Sequence, residues 1–206
     1  MNREERRTQL LTRAREVFAK RGYHAARIDD IIEAAGVARG TFYLYFDDKR
    51  GVFEELVDRF LTRLHLSILR IDVTAPVPPQ VRENIRRVLE LFLADRAMTK
   101  ILLTDAPGLD SEFDRKLKSV YDVVLSLLAD SLAEGQALAI VADGDPRVYA
   151  YLTVGAMKEL LYQAVQQGMG EADAPRLGEQ VYAFLRHGYL KLPERPARAP
   201  ARKPRA

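Results

Sequence analysis

Chemistry in this chain is concentrated in Gly36-Val37-Ala38-Arg39-Gly40-Thr41-Phe42-Tyr43-Leu44-Tyr45-Phe46, followed by Asp47-Asp48-Lys49. Four aromatics, one guanidinium and two glycines in eleven residues fit a tight turn at Gly36 feeding a short helix that runs out near Phe46. Phe42 and Phe46, four apart, share a helix face and can anchor it inward. Arg39, Thr41, Tyr43 and Tyr45 are then left for the other side. A guanidinium, a hydroxyl and two phenols on one exposed face suit the base edges and phosphates of a DNA groove. An amphipathic core helix whose tyrosine hydroxyls reach water has the same pattern, and this segment alone leaves both readings open.

Other chemistry finds no constellation. His24, His65 and His187 lie in separate segments without metal-ligand spacing, and there is no cysteine, so no metal site, thiolate or disulfide is expected. Neither a P-loop nor a glycine-rich dinucleotide turn occurs, and Gly168-Met169-Gly170 closes a helix. The carboxylates are spread over solvated faces, with no pair set apart as acid and base. No catalytic residue and no cofactor are expected.

The elements that must position the aromatic stretch are helical. Ile28, Ile31, Ile32 and Ala35 form an apolar stripe, so Asp29 to Ala35 reads as a helix with acids in its first turn and Gly36 at its C-terminal stop. Helix, glycine turn and short second helix make a helix-turn-helix unit, whose second helix offers its first residues to the major groove. Ahead of it, residues 4–21 carry the stripe Leu10, Leu11, Ala14, Val17, Phe18 and stop at Gly22. Of the arginines outside that stripe, Arg3, Arg6 and Arg7 are the candidates for phosphate contact, and Arg13 and Arg15 fit a solvated face. Behind it, Asp47 suits the N-cap of a helix over 48–72, about 24 residues and about 36 Å long. Pro76-Val77-Pro78-Pro79 breaks the chain. Further stripes follow at Val81 to Phe92, at Met98, Ile101 and Leu102 up to Pro107-Gly108, and at Phe113 to Leu128 ending near Gly135. Two last helices run from Asp145-Pro146 to Gly168 and from Pro175 to Leu190. The fold class is all-α, with about nine helices.

The residues Gly22-Tyr23, Ile31, Ala34-Ala35-Gly36-Val37, Gly40-Thr41-Phe42-Tyr43, Tyr45-Phe46 and Lys49 resemble the N-terminal domain of TetR-family transcriptional repressors, over about residues 5 to 60. The remainder is similar to the family only in length and helical character. The resemblance implies a helix-turn-helix DNA-binding domain on 1–47 and a helical effector-binding and dimerisation domain on 48–190. It implies a homodimer on a palindromic double-stranded operator, with recognition helices about 34–36 Å apart. Ala38, Arg39, Gly40, Thr41, Tyr43, Tyr45 and Lys49 are then the DNA-binding set: Arg39 on a base, most simply guanine, Tyr43 and Tyr45 on phosphates, Lys49 clamping the backbone. Gly40 would allow close approach. One departure stands out, because Ala26-Arg27 replaces the Ser or Thr that usually caps the second helix; Arg27 can instead reach a phosphate.

The resemblance further implies a mostly apolar small-molecule effector held among the helices of 52–162. Leu64, Ile68, Phe92, Met98, Leu102, Tyr121, Val124 and Leu128 are candidate walls, and each is equally a candidate for plain core. His65, Asp105, Tyr151, Glu159 and Tyr162 are candidate polar contacts, Glu159 foremost, since a carboxylate inside an apolar pattern needs a partner. The last two helices are expected to pair with those of a second subunit through Leu152, Gly155, Ala156, Leu160, Gln163, Val181, Phe184 and Leu185. Gly155 and Ala156 also suit a close helix contact within the chain. Effector binding would bias the long helix of 48–72.

Charge divides the chain. Residues 1–50 hold 11 Lys/Arg against 8 Asp/Glu, 51–190 hold 15 against 20, and 191–206 hold 6 against 1. Contact with a polyanion belongs to the ends. The Pro/Ala/Arg-rich tail of 191–206 has no apolar face and is expected to be disordered. No apolar run spans a membrane and no signal peptide precedes the first helix, so a cytoplasmic protein is expected. The expected function is a DNA-binding regulator released by a ligand; an effector-independent architectural DNA binder is the alternative.

Overall fold

The computed structural model describes residues 2–72, 74–105 and 111–187. Pro107-Gly108, the last residues to Leu190 and the tail of 191–206 lie outside them, as do the side chains of Asp105, Phe113, Leu117 and Val120. Among the described residues nine α-helices follow one another: α1 Arg3–Arg21, α2 Ile28–Ala35, α3 Arg39–Tyr43, α4 Lys49–Ser67, α5 Val77–Ala94, α6 Arg96–Lys100, α7 Ser111–Ala137, α8 Pro146–Gln166 and α9 Ala174–His187. A π-helical turn, Ile101–Asp105, prolongs α6, and a 3-10 turn, Glu171–Asp173, precedes α9. No strand occurs among the described residues. The all-α expectation holds.

Local sequence explains most ends. Asn2 accepts the Glu5 N–H at 2.8 Å while Glu5 accepts that of Asn2 at 2.8 Å, a reciprocal cap on α1. The N-cap of α4 is Asp48, which accepts the Gly51 N–H at 2.7 Å, and not Asp47 as the sequence suggested. Asp145 caps α8 through the Arg147 N–H at 2.8 Å, with Pro146 at the first helical position. The α4 helix stops at Ser67, short of the expected 72. Its apolar period runs on to Ile68, but the Asn84 side chain of α5 takes both the Leu69 N–H and the Leu69 carbonyl, each at 2.8 Å, and holds the chain extended.

Three apolar clusters result. The first joins Phe18 of α1, Ile31 of α2, Phe42 of α3 and Val52, Phe53, Val57 and Phe60 of α4. The rings of Phe18 and Phe53 meet at 5.7 Å, and Tyr23 stands 4.6 Å from Phe53. This core does not close at residue 47: Leu91, Met98 and Ile101 complete it from α5, α6 and the π-turn. The second cluster packs Ile85, Leu89 and Leu93 of α5 against Leu161 and Ala164 of α8 and Leu177 and Tyr182 of α9. Gly178 of α9 faces Leu89 and Arg86 of α5, where a Cβ would make ordinary contact at 3.7 and 3.8 Å. The third packs Leu125 and Ala129 of α7 against Ala150 of α8, with Leu128, Leu132 and Val154 half-buried around them.

Ion pairs fasten the head to what lies behind it. Asp95, buried at the N-cap of α6, accepts the Met98 N–H at 3.2 Å and Arg15 Nη1 of α1 at 2.8 Å, with Arg63 Nη1 of α4 at 3.6 Å. Lys100 Nζ donates to the Ala19 carbonyl of α1 at 3.2 Å. Arg15, which the sequence placed on a solvated face, thus joins α1 to α6.

Candidate nucleic-acid interface

The turn between α2 and α3 is set by Gly36 in the left-handed region, φ 63° and ψ 39°. Its N–H closes on the Glu33 carbonyl at 3.1 Å, and Val37 N–H on that of Ile32 at 3.3 Å. A side chain at that φ would be strained. The helix α3 that follows has five residues and no side-chain N-cap, so packing must hold it. Phe42 supplies that packing, fully buried, with Phe46 buried 5.9 Å from it and the Arg7 guanidinium 4.9 Å over the Phe46 ring.

With the phenylalanines inward, Ala38, Arg39, Gly40 and Tyr43 stand exposed and Thr41 half-exposed. Arg39 Nη1 lies 3.4 Å from Asp29 Oδ1 at the start of α2. A hydrogen bond with Tyr43, and then the Asp29 charge, raise the Arg39 pKa above that of an ordinary arginine. Gly40 has no glycine-only φ, and a Cβ there would meet nothing within 4 Å. Nothing in the chain itself calls for a glycine at that position.

Several expected contacts are corrected. Tyr45 does not share the open face with Tyr43: it is half-buried and packs against the head core. Lys49 turns inward, where Nζ donates to the carbonyls of Tyr23, Ala26 and His24 at 2.7, 2.9 and 3.3 Å and sits 4.3 Å over the Tyr23 ring. All of its donors are engaged in pinning the α1–α2 loop, and burial lowers its pKa below that of an ordinary lysine. Arg7, thought to be a phosphate contact, gives Nε to Glu55 of α4 at 2.9 Å. Burial pushes the Glu55 carboxyl up, but hydrogen bonds from Arg7 and Arg59 outweigh it and leave the carboxyl below its usual range. Arg27 is exposed; its N–H is held by Asp30 at 2.9 Å, which is how α2 starts without a hydroxyl cap.

The expected effector contacts do not converge. Met98 is buried in the head core, with Leu64, Phe92 and Leu102 half-buried against it. His65, Ile68, Tyr121 and Tyr151 are exposed. Val124 and Tyr162 are half-buried on α7 and α8. Glu159 is no buried carboxylate, being exposed and accepting Gln163 Nε2 at 2.8 Å. Helical periodicity reports which residues face inward, and core and cavity wall share that signature.

Of the expected dimer residues, Ala156, Leu160, Val181, Phe184 and Leu185 line one groove, whereas Gln163 is exposed and donates to Glu159. Thr153, Ala156, Met157 and Leu160 of α8 and Gln180, Val181, Phe184 and Leu185 of α9 line one open apolar groove. Leu152 is 62% exposed beside it, and a Cβ on Gly155 would meet nothing within 4 Å, so the chain's own packing does not use that glycine. Sequence reading missed Asp29, Glu55 and Asp95; only Asp29, an acid opening α2, carried a local signal.

A short helix held by two phenylalanines behind a glycine turn, with its first residues offered outward, is the reading half of a helix-turn-helix DNA-binding protein. The family described as bacterial regulatory proteins, tetR family, matches residues 10–56. An HTH-type transcriptional regulator of Bacillus subtilis, YdgC, is 33% identical over 192 residues, 90% of this chain and 93% of its own. The fatty acid metabolism regulator protein of the same organism is 26% identical over 156 residues, 73% of this chain and 79% of its own. The crystal structure of the regulator FadR from Bacillus subtilis in complex with stearoyl-CoA superposes with a TM-score of 0.73 at 25% identity, covering 89% of this chain and 99% of that one. The chain belongs to the TetR family of transcriptional regulators, and it is a DNA-binding regulator. An effector-free architectural role is not favoured by these relatives. No helix among the described residues is long and apolar enough to cross a membrane.

Proposed function

We propose that this chain is a homodimeric cytoplasmic repressor, without enzymatic activity, that grips a palindromic operator with two copies of α3 and releases it when an effector of the long-chain acyl-CoA class binds. The observation that carries the DNA reading is the outer face of α3. Its N-terminal residues are open while Phe42 and Phe46 are spent on the core, and Gly40 lacks any reason within the chain. A DNA backbone passing over Gly40 supplies that reason. Arg39 then reaches a base edge, most simply guanine O6 and N7. Tyr43 and Arg27 hold phosphates, Thr41 meets base or phosphate, and Tyr45 contributes its hydroxyl from a half-buried ring. Lys49 acts indirectly, by fixing the loop ahead of α2.

The groove of α8 and α9 supports the dimer. Exposed Leu152, Phe184 and Leu185 around an unoccupied Gly155 form a surface two copies can share about a two-fold axis. The effector class rests on the relative that holds stearoyl-CoA. Movement of α6 would reach the head through Asp95 and its pairs with Arg15 and Arg63.

Fluorescence anisotropy on DNA flanking the protein's own gene, against a scrambled duplex and across a salt series, tests this. The expected outcome is a preference of about a thousandfold or more that survives physiological salt. Palmitoyl- or stearoyl-CoA should abolish it where free coenzyme A does not. Arg39→Ala should remove about 1–3 kcal/mol of discrimination at one operator position. Equal, salt-labile binding to both duplexes would refute the sequence-specific reading.

A further inference from the structure

Two consecutive acids open α2, and the fold uses them differently. Asp30 is largely buried, accepts the Arg27 N–H at 2.9 Å and pairs with Arg21 Nη1 at 3.1 Å, so it belongs to the structure of the head. Asp29 is 67% exposed, and it faces Arg39 of α3 across 3.4 Å, the arginine being 65% exposed. An ion pair so open to water adds little to stability. The head has no need of it, since Ile31 and Phe42 already join α2 to the core. On a surface that meets DNA, a bare carboxylate also repels every phosphate it passes, whatever the sequence. Beyond the modest helix-dipole gain of any first-turn acid, neither stability nor general affinity accounts for Asp29.

Discrimination does. An arginine on a five-residue helix, with a long side chain free to turn, can satisfy itself on phosphates as readily as on bases. Fixing its guanidinium removes that choice. Asp29 holds Nη1 from one side. The remaining N–H donors of the fork stay available for the bidentate approach to guanine O6 and N7.

We propose that Asp29 is a specificity-determining positioning residue: through its contact with Arg39 it turns a general cation into a guanine reader. This rests on Arg39 meeting a base edge in the operator. A charge in the first turn of α2 would also favour the helix dipole. That role moves thermal stability and leaves base preference untouched, so the two are separable.

The test uses the full chain and its variants Asp29→Ala, Asp29→Asn, Arg39→Ala and the double variant Asp29→Ala/Arg39→Ala. Each is run through selection from a randomised duplex pool, then titrated on the best operator and on its single guanine-to-adenine change. The unaltered protein should prefer guanine at one position by about tenfold or more. Asp29→Ala should bring that to within about twofold, while affinity for a scrambled duplex holds or rises as a repulsion is removed. Asp29→Asn, which keeps an acceptor, should retain part of the preference. The double variant should be no less selective than Arg39→Ala alone. Full guanine preference in Asp29→Ala, with Arg39→Ala losing it, overturns the role of Asp29 and leaves the Arg39 reading standing. Full preference in Arg39→Ala overturns both.

Discussion

Around α1–α4 the chain buries Phe18, Phe42 and Phe53 and ties the helices with Arg7–Glu55, Arg59–Glu4 and Arg15–Asp95 pairs. At the other end α7 and α8 meet over Leu125, Ala129 and Ala150, and Val123, Leu127, Tyr151 and Leu152 stand largely in water. The open face of α3 carries a guanidinium, a phenol and a glycine, with Leu44 exposed just past its end; the exposed side chains named for the rear are all aliphatic or aromatic. A polar open face is at home in water until a polyanion replaces it. An apolar one that size calls for cover by protein or ligand. The head closes its core within one chain, and cover for the rear is what we propose a second subunit supplies.

The comparison breaks first on the cores. Phe53→Ala should cost about 3–5 kcal/mol of unfolding free energy in urea titrations, and Leu125→Ala, which removes less buried volume, about 2 kcal/mol. Equal losses would mean the rear is packed as firmly as the head. Next comes cover for the rear. Leu152→Glu should weaken self-association by roughly a hundredfold, about 2.8 kcal/mol, in sedimentation equilibrium. The helical circular dichroism of the subunit should stay intact; a variant that self-associates normally would place the shared surface elsewhere.

On the head, Lys49→Met should lower stability by about 1–3 kcal/mol, since it strips the Tyr23, His24 and Ala26 carbonyls of their common donor. Its effect on DNA should be a loss at all sequences that a stabilising osmolyte restores. A flattened salt slope in a fully stable variant would return Lys49 to a direct phosphate contact. The smallest change is also the most pointed. Gly40→Ala should raise thermal stability by up to about 1 kcal/mol, because alanine favours a helix and the Cβ has room. The same variant should bind the operator more weakly, and unimpaired binding would show that nothing passes close to Gly40.

What was legible in the sequence follows the range of the interactions. The stripes of α1 and α2, the Gly36 turn and the inward Phe42 and Phe46 depend on neighbours a turn or two away, and they were readable. The end of α4 was not, because Asn84 of α5 captures Leu69 across the intervening loop. Lys49 carries the same signature whether its amine meets a phosphate or three carbonyls of a loop folded back on it. Tyr43 and Tyr45 look alike in sequence, yet their two-residue spacing turns one outward and sets the other against the core. Helical glycines show the point from the other side. Gly178 is where α9 nestles on α5, and it left no mark in the pattern; Gly155, which did stand out, touches nothing in its own chain.

The shared core of the head bears on how proteins of this architecture exchange parts. Leu91, Met98 and Ile101 lie more than forty residues past the end of α3, yet they pack with Phe18 and Phe53, and Phe60 meets the Phe92 ring at 4.9 Å. A chimaera that swaps DNA specificity by cutting at residue 47 inherits a half-built hydrophobic centre. The transplantable unit is discontinuous: α1 to α4 together with the inner faces of α5 and α6, so new operators are more readily acquired by changing single residues on α2 and α3 than by recombining whole heads.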